Sequence, residues 1–154
     1  MRIRIVVADQ AEARFYDAEP PEAALHASGS LRDPTARLHE RDLVSDRPGR
    51  VFERASIPGS RRGASAHHDT GGERSARKSA AVAFARRIAT QLERGQQQRR
   101  FDGIVLMASP RFLGLLRQVL SPRLGRCVVA EVPKDLVHQS ERVVSAHLPR
   151  QALR

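Results

Sequence analysis

The sequence has no tryptophan, a single tyrosine (Tyr16) and five phenylalanines, so aromatics make up only 4% of its 154 residues. That scarcity argues against a stacking platform for unpaired bases, which needs several aromatic rings on the surface. There is one cysteine, Cys127, which excludes an internal disulfide and any zinc site built from several cysteines. It heads the apolar run Cys127-Val-Val-Ala and reads as a small buried hydrophobe rather than a nucleophile. No apolar run approaches the roughly 20 residues of a membrane-spanning helix. The N-terminus enters a short strand directly, without the pattern of a cleaved signal peptide, which predicts cytoplasmic residence. Neither a Gly-rich phosphate loop nor the strained turn of a serine hydrolase is visible.

What the sequence does have is positive charge, unevenly placed. The formal net charge is +10. Residues 1–46 carry 6 basic and 9 acidic groups, whereas residues 47–100 carry 13 basic and 4 acidic. Residues 101–154 carry 8 and 4. Nearly all the excess sits in the middle third. A localised field of one sign favours a polyanion, and RNA or another phosphate-rich surface is the natural candidate. The basic residues are nearly all arginine, a choice that a GC-rich genome also explains, but genome composition does not explain their clustering.

Length and a 40% apolar content suit one domain with a core of its own. Arg2–Ala8 alternates and reads as a strand that starts half-exposed. A turn over Asp9–Glu12 and a strand over Ala13–Ala18 complete a hairpin. A third short strand around Ser28-Gly29-Ser30 would use Leu25 and Leu31. Residues 54–72 hold one large hydrophobe, Ile57, and read as a long irregular and mobile loop. From Glu73 to Arg94 the residues Ala81, Phe84, Ala85, Ile88, Ala89 and Leu92 form one apolar stripe, with Arg77, Lys78, Arg86 and Arg87 off it, which predicts a helix. Ile104–Ala108 is a continuous apolar run of the kind buried on both faces of a sheet. Ser109-Pro110 and Ser121-Pro122 each pair a capping serine with a proline suited to the first helical turn. A strand over Cys127–Val132 and a last helix over Ser140–Leu148 follow, and residues 149–154 read as a fraying tail. This order predicts a single α/β domain, with an N-terminal hairpin in a mixed sheet and helices on both faces.

Two places could carry chemistry. The first is Leu38–Phe52, crowded with charge yet marked for a fixed shape. Pro48 locks one φ angle, Gly49 frees another, and Asp46 can bond the backbone two residues on. With Arg41, Asp42, Arg47 and Arg50 it is either an ordered binding loop or a solvated turn with weak ion pairs. The second is the carboxyl edge of the predicted sheet, where open α/β folds gather ligands. Asp9, Arg111 and Asp135 each follow a strand there and could converge. Asp102 precedes its strand and falls at the opposite end. Two acids in so basic a chain make a poor metal site. His67-His68-Asp69 reads as extended chain pointing to both sides, so no metal is expected, and no cofactor either.

Four blocks carry a resemblance to a known family: Leu38-His-Glu-Arg-Asp-Leu-Val-Ser-Asp-Arg-Pro-Gly-Arg, Phe101-Asp-Gly-Ile-Val-Leu, Pro110-Arg-Phe-Leu-Gly-Leu-Leu-Arg and Lys134-Asp-Leu-Val-His. Together they resemble the bacterial host attachment family, also described as required for attachment to host cells, over residue 1 to about 148. That family is itself similar to the middle domain of archaeal and eukaryotic class-1 peptide-chain release factors. The resemblance implies a mixed sheet with helices on both sides, and ribosome or tRNA binding. Release factors carry Gly-Gly-Gln in the loop before a long helix, and this chain has Gly71-Gly72-Glu73 ahead of its own. The glutamate would repel phosphates and a peptidyl ester.

These features lead to three expectations. The first is a cytoplasmic, non-enzymatic RNA- or ribosome-binding domain that contacts phosphates through Arg47, Arg50, Arg61, Arg62 and Arg77. The second is a hydrolase of an ester or phosphoester, such as peptidyl-tRNA, that uses Asp9, Arg111 and Asp135. The third is a module for a protein partner, acting indirectly on attachment.

Overall fold

A computed structural model describes residues 1–36 and 63–154, with residues 63–71 described by their backbone. The chain forms β1 (Ile3–Ala8), β2 (Glu12–Ala18), β3 (His26–Arg32), α1 (Gly63–Gln97), β4 (Gly103–Met107), α2 (Pro110–Val119), α3 (Pro122–Cys127), β5 (Val128–Val132) and α4 (Glu141–Ala146). A 3₁₀ helix over Arg150–Leu153 ends it. The five strands make one sheet in the order β3-β2-β1-β4-β5. β1 is antiparallel to β2 and parallel to β4, and β5 is parallel to β4. The carboxyl ends of β1, β4 and β5 therefore share one edge.

Alternation along the central strands sends side chains into two cores. Val6 and Ala8 of β1 and Ile104 and Leu106 of β4 meet Phe84, Ile88 and Leu92 of α1 and Phe112, Leu113 and Leu116 of α2. Ile5 and Val7, with Val105 and Met107, face the other way, toward Val137, Val144, Leu148 and Ala152. Each fully buried Leu, Ile or Phe on α1 contributes about 1.5–3 kcal/mol. The serine caps expected at Ser109 and Ser121 hold, accepting from the backbone N–H of Phe112 and Leu124, and Ser140, read from sequence as the first residue of the last helix, caps it by accepting from Val143 N–H. Arg117 of α2 ties to Glu131 of β5, and that hydrogen bond holds its guanidinium above its usual range.

The structure corrects several sequence expectations. β1 is buried throughout instead of starting half-exposed, because Arg4 is only 3% accessible. Its Nε and Nη2 donate to the two carboxylate oxygens of Asp17 at 2.7 and 2.9 Å, and Nη2 also donates to Ser28 Oγ at 3.0 Å. The guanidinium lies 4.9 Å from the centre of the Phe101 ring. α1 starts at Gly63 rather than Glu73, so the last part of the segment read as an irregular loop is helical, and residues 54–62 lie outside the described residues. Extending a helix that is already anchored costs only the propensity of each added residue, roughly 1 kcal/mol for a glycine. Cys127 is the half-buried last residue of α3, not the first of β5, and its Sγ accepts from Gln96 Nε2. The C-terminal residues do not trail off: Ala152 is buried in the second core.

Among the described residues Gly29 is the one glycine that the backbone itself demands, with a φ of +143°. It sits where the β2–β3 register slips: Phe15 pairs with Gly29 and Tyr16 with Ala27, leaving Ser28 unpaired as a bulge. The bulge is what turns the Ser28 hydroxyl toward Arg4. Two helical glycines differ in their surroundings. A Cβ at Gly95 would lie 2.7 Å from Phe101 Cε1 and 3.1 Å from Arg4 Nη1, whereas one at Gly114 would meet nothing within 4 Å. The same substitution should therefore have opposite signs at the two positions. Gly95→Ala should destabilise by about 1–2 kcal/mol, because overpacking outweighs the helix-propensity gain. Gly114→Ala should stabilise by about 0.5–1 kcal/mol. Urea midpoints of the two variants against the parent check this, and shifts of the same sign would contradict it.

Candidate functional site

Asp9, Ser109 and Asp135 follow β1, β4 and β5, and all three line one cleft of about 360 Å³ at the shared carboxyl edge. Gln10, Asp33 and Arg77 complete its polar lining. Most of these groups already have structural work. Asp9 Oδ1 accepts from the backbone N–H of Ala11 at 2.8 Å and of Glu12 at 2.7 Å, closing the β1–β2 turn. Its Oδ2 is 3.5 Å from His138 Nε2. Asp33 Oδ1 accepts from the N–H and hydroxyl of Thr35. Ser109 Oγ caps α2. Arg14 fixes the loop after β5 by donating to the carbonyls of Val137 and Gln139 at 3.0 and 2.9 Å. Among the described residues no three His, Cys, Asp or Glu side chains come together as metal ligands.

Beside this cleft, a groove of about 720 Å³ runs between α1 and α2. Arg74, Arg77 and Lys78 rise from α1, and Arg111 from the first turn of α2. Ala81, Gly114 and Leu115 also line it, with Gln10 and Gln118. Among the described residues no carboxylate lines it. The spacing follows from the helix: residues three and four apart share a face, and the apolar stripe of α1 leaves that face free while it packs on the sheet. Arg111 adds its charge to the positive end of the α2 dipole, and both favour an anion. Arg77, Gln10 and Ala81 belong to cleft and groove alike, so the two are continuous. Arg87 is committed elsewhere, donating to the Arg32 carbonyl at 3.0 Å with its guanidinium over the Phe84 ring.

Of the residues expected from sequence to converge, Asp9 and Asp135 do line one cleft, and Arg111 stands in the adjoining groove. Arg77 borders both. Arg41, Asp42, Asp46, Arg47, Pro48, Gly49, Arg50, Arg61 and Arg62 lie outside the described residues. Gly71-Gly72-Glu73 falls within the backbone of α1 rather than in a loop ahead of it, so its setting differs from that of the release-factor Gly-Gly-Gln. His67, His68 and Asp69 are likewise in helical backbone, not extended chain. Sequence reasoning missed Arg74, Asp33 and the two glutamines. The i, i+3, i+4 spacing of Arg74, Arg77 and Lys78, off the apolar stripe, was the signal available for the groove.

A family model described as "Protein required for attachment to host cells" matches residues 4–148. The chain belongs to that family. No curated protein matches it. Among solved structures, an archaeal translation termination factor, aRF1, is similar at 10% identity with a TM-score of 0.50, over 99% of this chain and 36% of that one. An archaeal protein is similar at 13% identity with a TM-score of 0.45, over 98% and 37%. The chain thus spans little more than a third of each. At such identities the likeness to the termination factor shows the fold: a single mixed α/β domain with an open five-stranded sheet, as the sequence led one to expect. No helix among the described residues is long and apolar enough to cross a membrane.

The bonding of Asp9 separates a structural role from a chemical one. Asp9→Ala should cost about 1–2 kcal/mol, because it leaves two turn N–H groups without their acceptor. Asp9→Asn keeps a carbonyl oxygen there and should retain most of the stability. Thermal or urea unfolding of both variants checks this, and equal losses in the two would remove the turn-closing role.

Proposed function

We propose that this member of the host attachment family is a cytoplasmic, non-enzymatic RNA- or ribosome-binding domain. The observation that carries the reading is the α1–α2 groove, where four cations converge with no lining carboxylate among the described residues. The concentration of positive charge in the middle third of the sequence favours the same partner. So does a fold shared with a translation termination factor. Arg47, Arg50, Arg61 and Arg62 would extend the contact from the segment ahead of α1. Binding of this kind releases condensed counterions, so affinity falls as salt rises. With four groove cations engaged, the slope of log K against log salt should be about −3. Arg74→Glu/Lys78→Glu should weaken binding at least tenfold and flatten that slope. Co-sedimentation with ribosomes and titration with RNA across a salt series measure both, and a salt-independent affinity, or none at low salt, would sink the reading.

A second reading has one observation in its favour: Asp9, Asp135 and Ser109 line a single cleft continuous with the basic groove. That arrangement suits a hydrolase of an ester or phosphoester, with Arg111 receiving the anionic end. It requires turnover on a panel of such substrates, including peptidyl-tRNA, that Asp135→Asn abolishes without unfolding the chain. An inactive parent protein across the panel would dispose of it.

A further inference from the structure

The groove says more about its ligand than that it is anionic. Every aromatic side chain among the described residues is buried: Phe15, Tyr16, Phe84, Phe101 and Phe112 are each at most 4% accessible. None can stack on an unpaired base, which is the usual source of affinity for single-stranded RNA. What the groove offers is four exposed cations carried on two helices that pack on one core. Arg74 and Lys78 stand one helical turn apart on α1, about 6 Å along its axis. Arg111 faces them from α2, a helix packed against the same core. Cations anchored on two packed helices gain most from phosphates whose positions are already fixed, because a flexible strand must lose conformational freedom to match them. The carboxamides of Gln10 and Gln118 supply neutral donors and acceptors of the kind that bond a ribose 2′-hydroxyl.

We infer that the α1–α2 groove takes the sugar–phosphate backbone of double-stranded RNA, reading duplex shape and 2′-hydroxyls rather than base sequence. This rests on the RNA-binding reading above and narrows it to one class of RNA and one place on the molecule.

Gly114 provides the test, because it borders the groove and a side chain added there meets no other atom within 4 Å of its Cβ. Gly114→Glu puts a carboxylate among the four cations without crowding the core, and it replaces a helical glycine with a better helix former. Gly114→Gln fills the same space without the charge. The full chain and both variants would be titrated at low salt with a 20-base-pair RNA duplex, its separated strand and a DNA duplex of the same sequence, with unfolding midpoints measured alongside. The parent should bind duplex RNA at least tenfold more tightly than the single strand, and more tightly than duplex DNA. Gly114→Glu should abolish that preference at an unchanged or raised midpoint, and Gly114→Gln should weaken binding less. Equal or tighter binding of the single strand would overturn the duplex assignment and leave RNA binding standing. Equal binding of the DNA duplex would overturn the 2′-hydroxyl reading. Undiminished duplex binding by Gly114→Glu would place the site elsewhere, and no binding of any RNA by the parent would remove this inference and the one it rests on.

Discussion

A single buried guanidinium holds one end of the sheet together. Arg4 is the one charged residue among the described residues that is fully buried, and it reaches neighbours from four other parts of the chain. Asp17 of β2 neutralises it, Ser28 on the β3 bulge takes a further N–H, the Phe101 ring ahead of β4 covers its face, and Gly95 of α1 leaves it room. A buried charge is tolerable only when it is paired and its donors are satisfied. That requirement fixes the register of β1 with β2, the need for the bulge, and the closeness with which the end of α1 approaches the strand it leads into.

The two ends of the sheet therefore differ in kind. At the Arg4 end, charge is enclosed and matched. At the other, the parallel strands stop and leave a cleft with three carboxylates beside a groove with four cations. Arg77 borders both, yet the opposite charges there are not consumed in mutual ion pairs among the described residues: the carboxylates of Asp9 and Asp33 serve turns, while the arginines and the lysine face solvent. An excess of positive potential over a concave surface is the result, and it comes from placement more than from the total charge.

Local signals proved legible where the chemistry is local. A serine before a proline marks a helix start by itself, and both such pairs cap helices. A short apolar run such as Ile104–Ala108, bounded by Gly103 and by Ser109-Pro110, suits a strand buried on both faces. The two-residue period of β1 was visible, but the burial of Arg4 was not, because its partner Asp17 and its neighbour Gly95 are distant in sequence. The start of α1 at Gly63 was hidden for a different reason: glycine, histidine and serine weaken the helical signal, and only attachment to a well-anchored helix makes them helical. The cleft was legible in outline, since strand order alone brings Asp9 and Asp135 to one edge. The groove was legible only on its α1 wall, as cations off the apolar stripe, because its closure depends on how α1 and α2 pack side by side.

The bulge in β3 has one more effect. Among the described residues β3 is the sheet's outer strand on the hairpin side, and the backbone of an outer strand can template another chain. With Ser28 displaced from the ladder and Gly29 at a positive φ, no straight strand can pair along its full length. Only short stretches on either side remain regular, too few residues for a strand to add stably. The kink that brings a hydroxyl to Arg4 thus also makes this edge a poorer template for another strand.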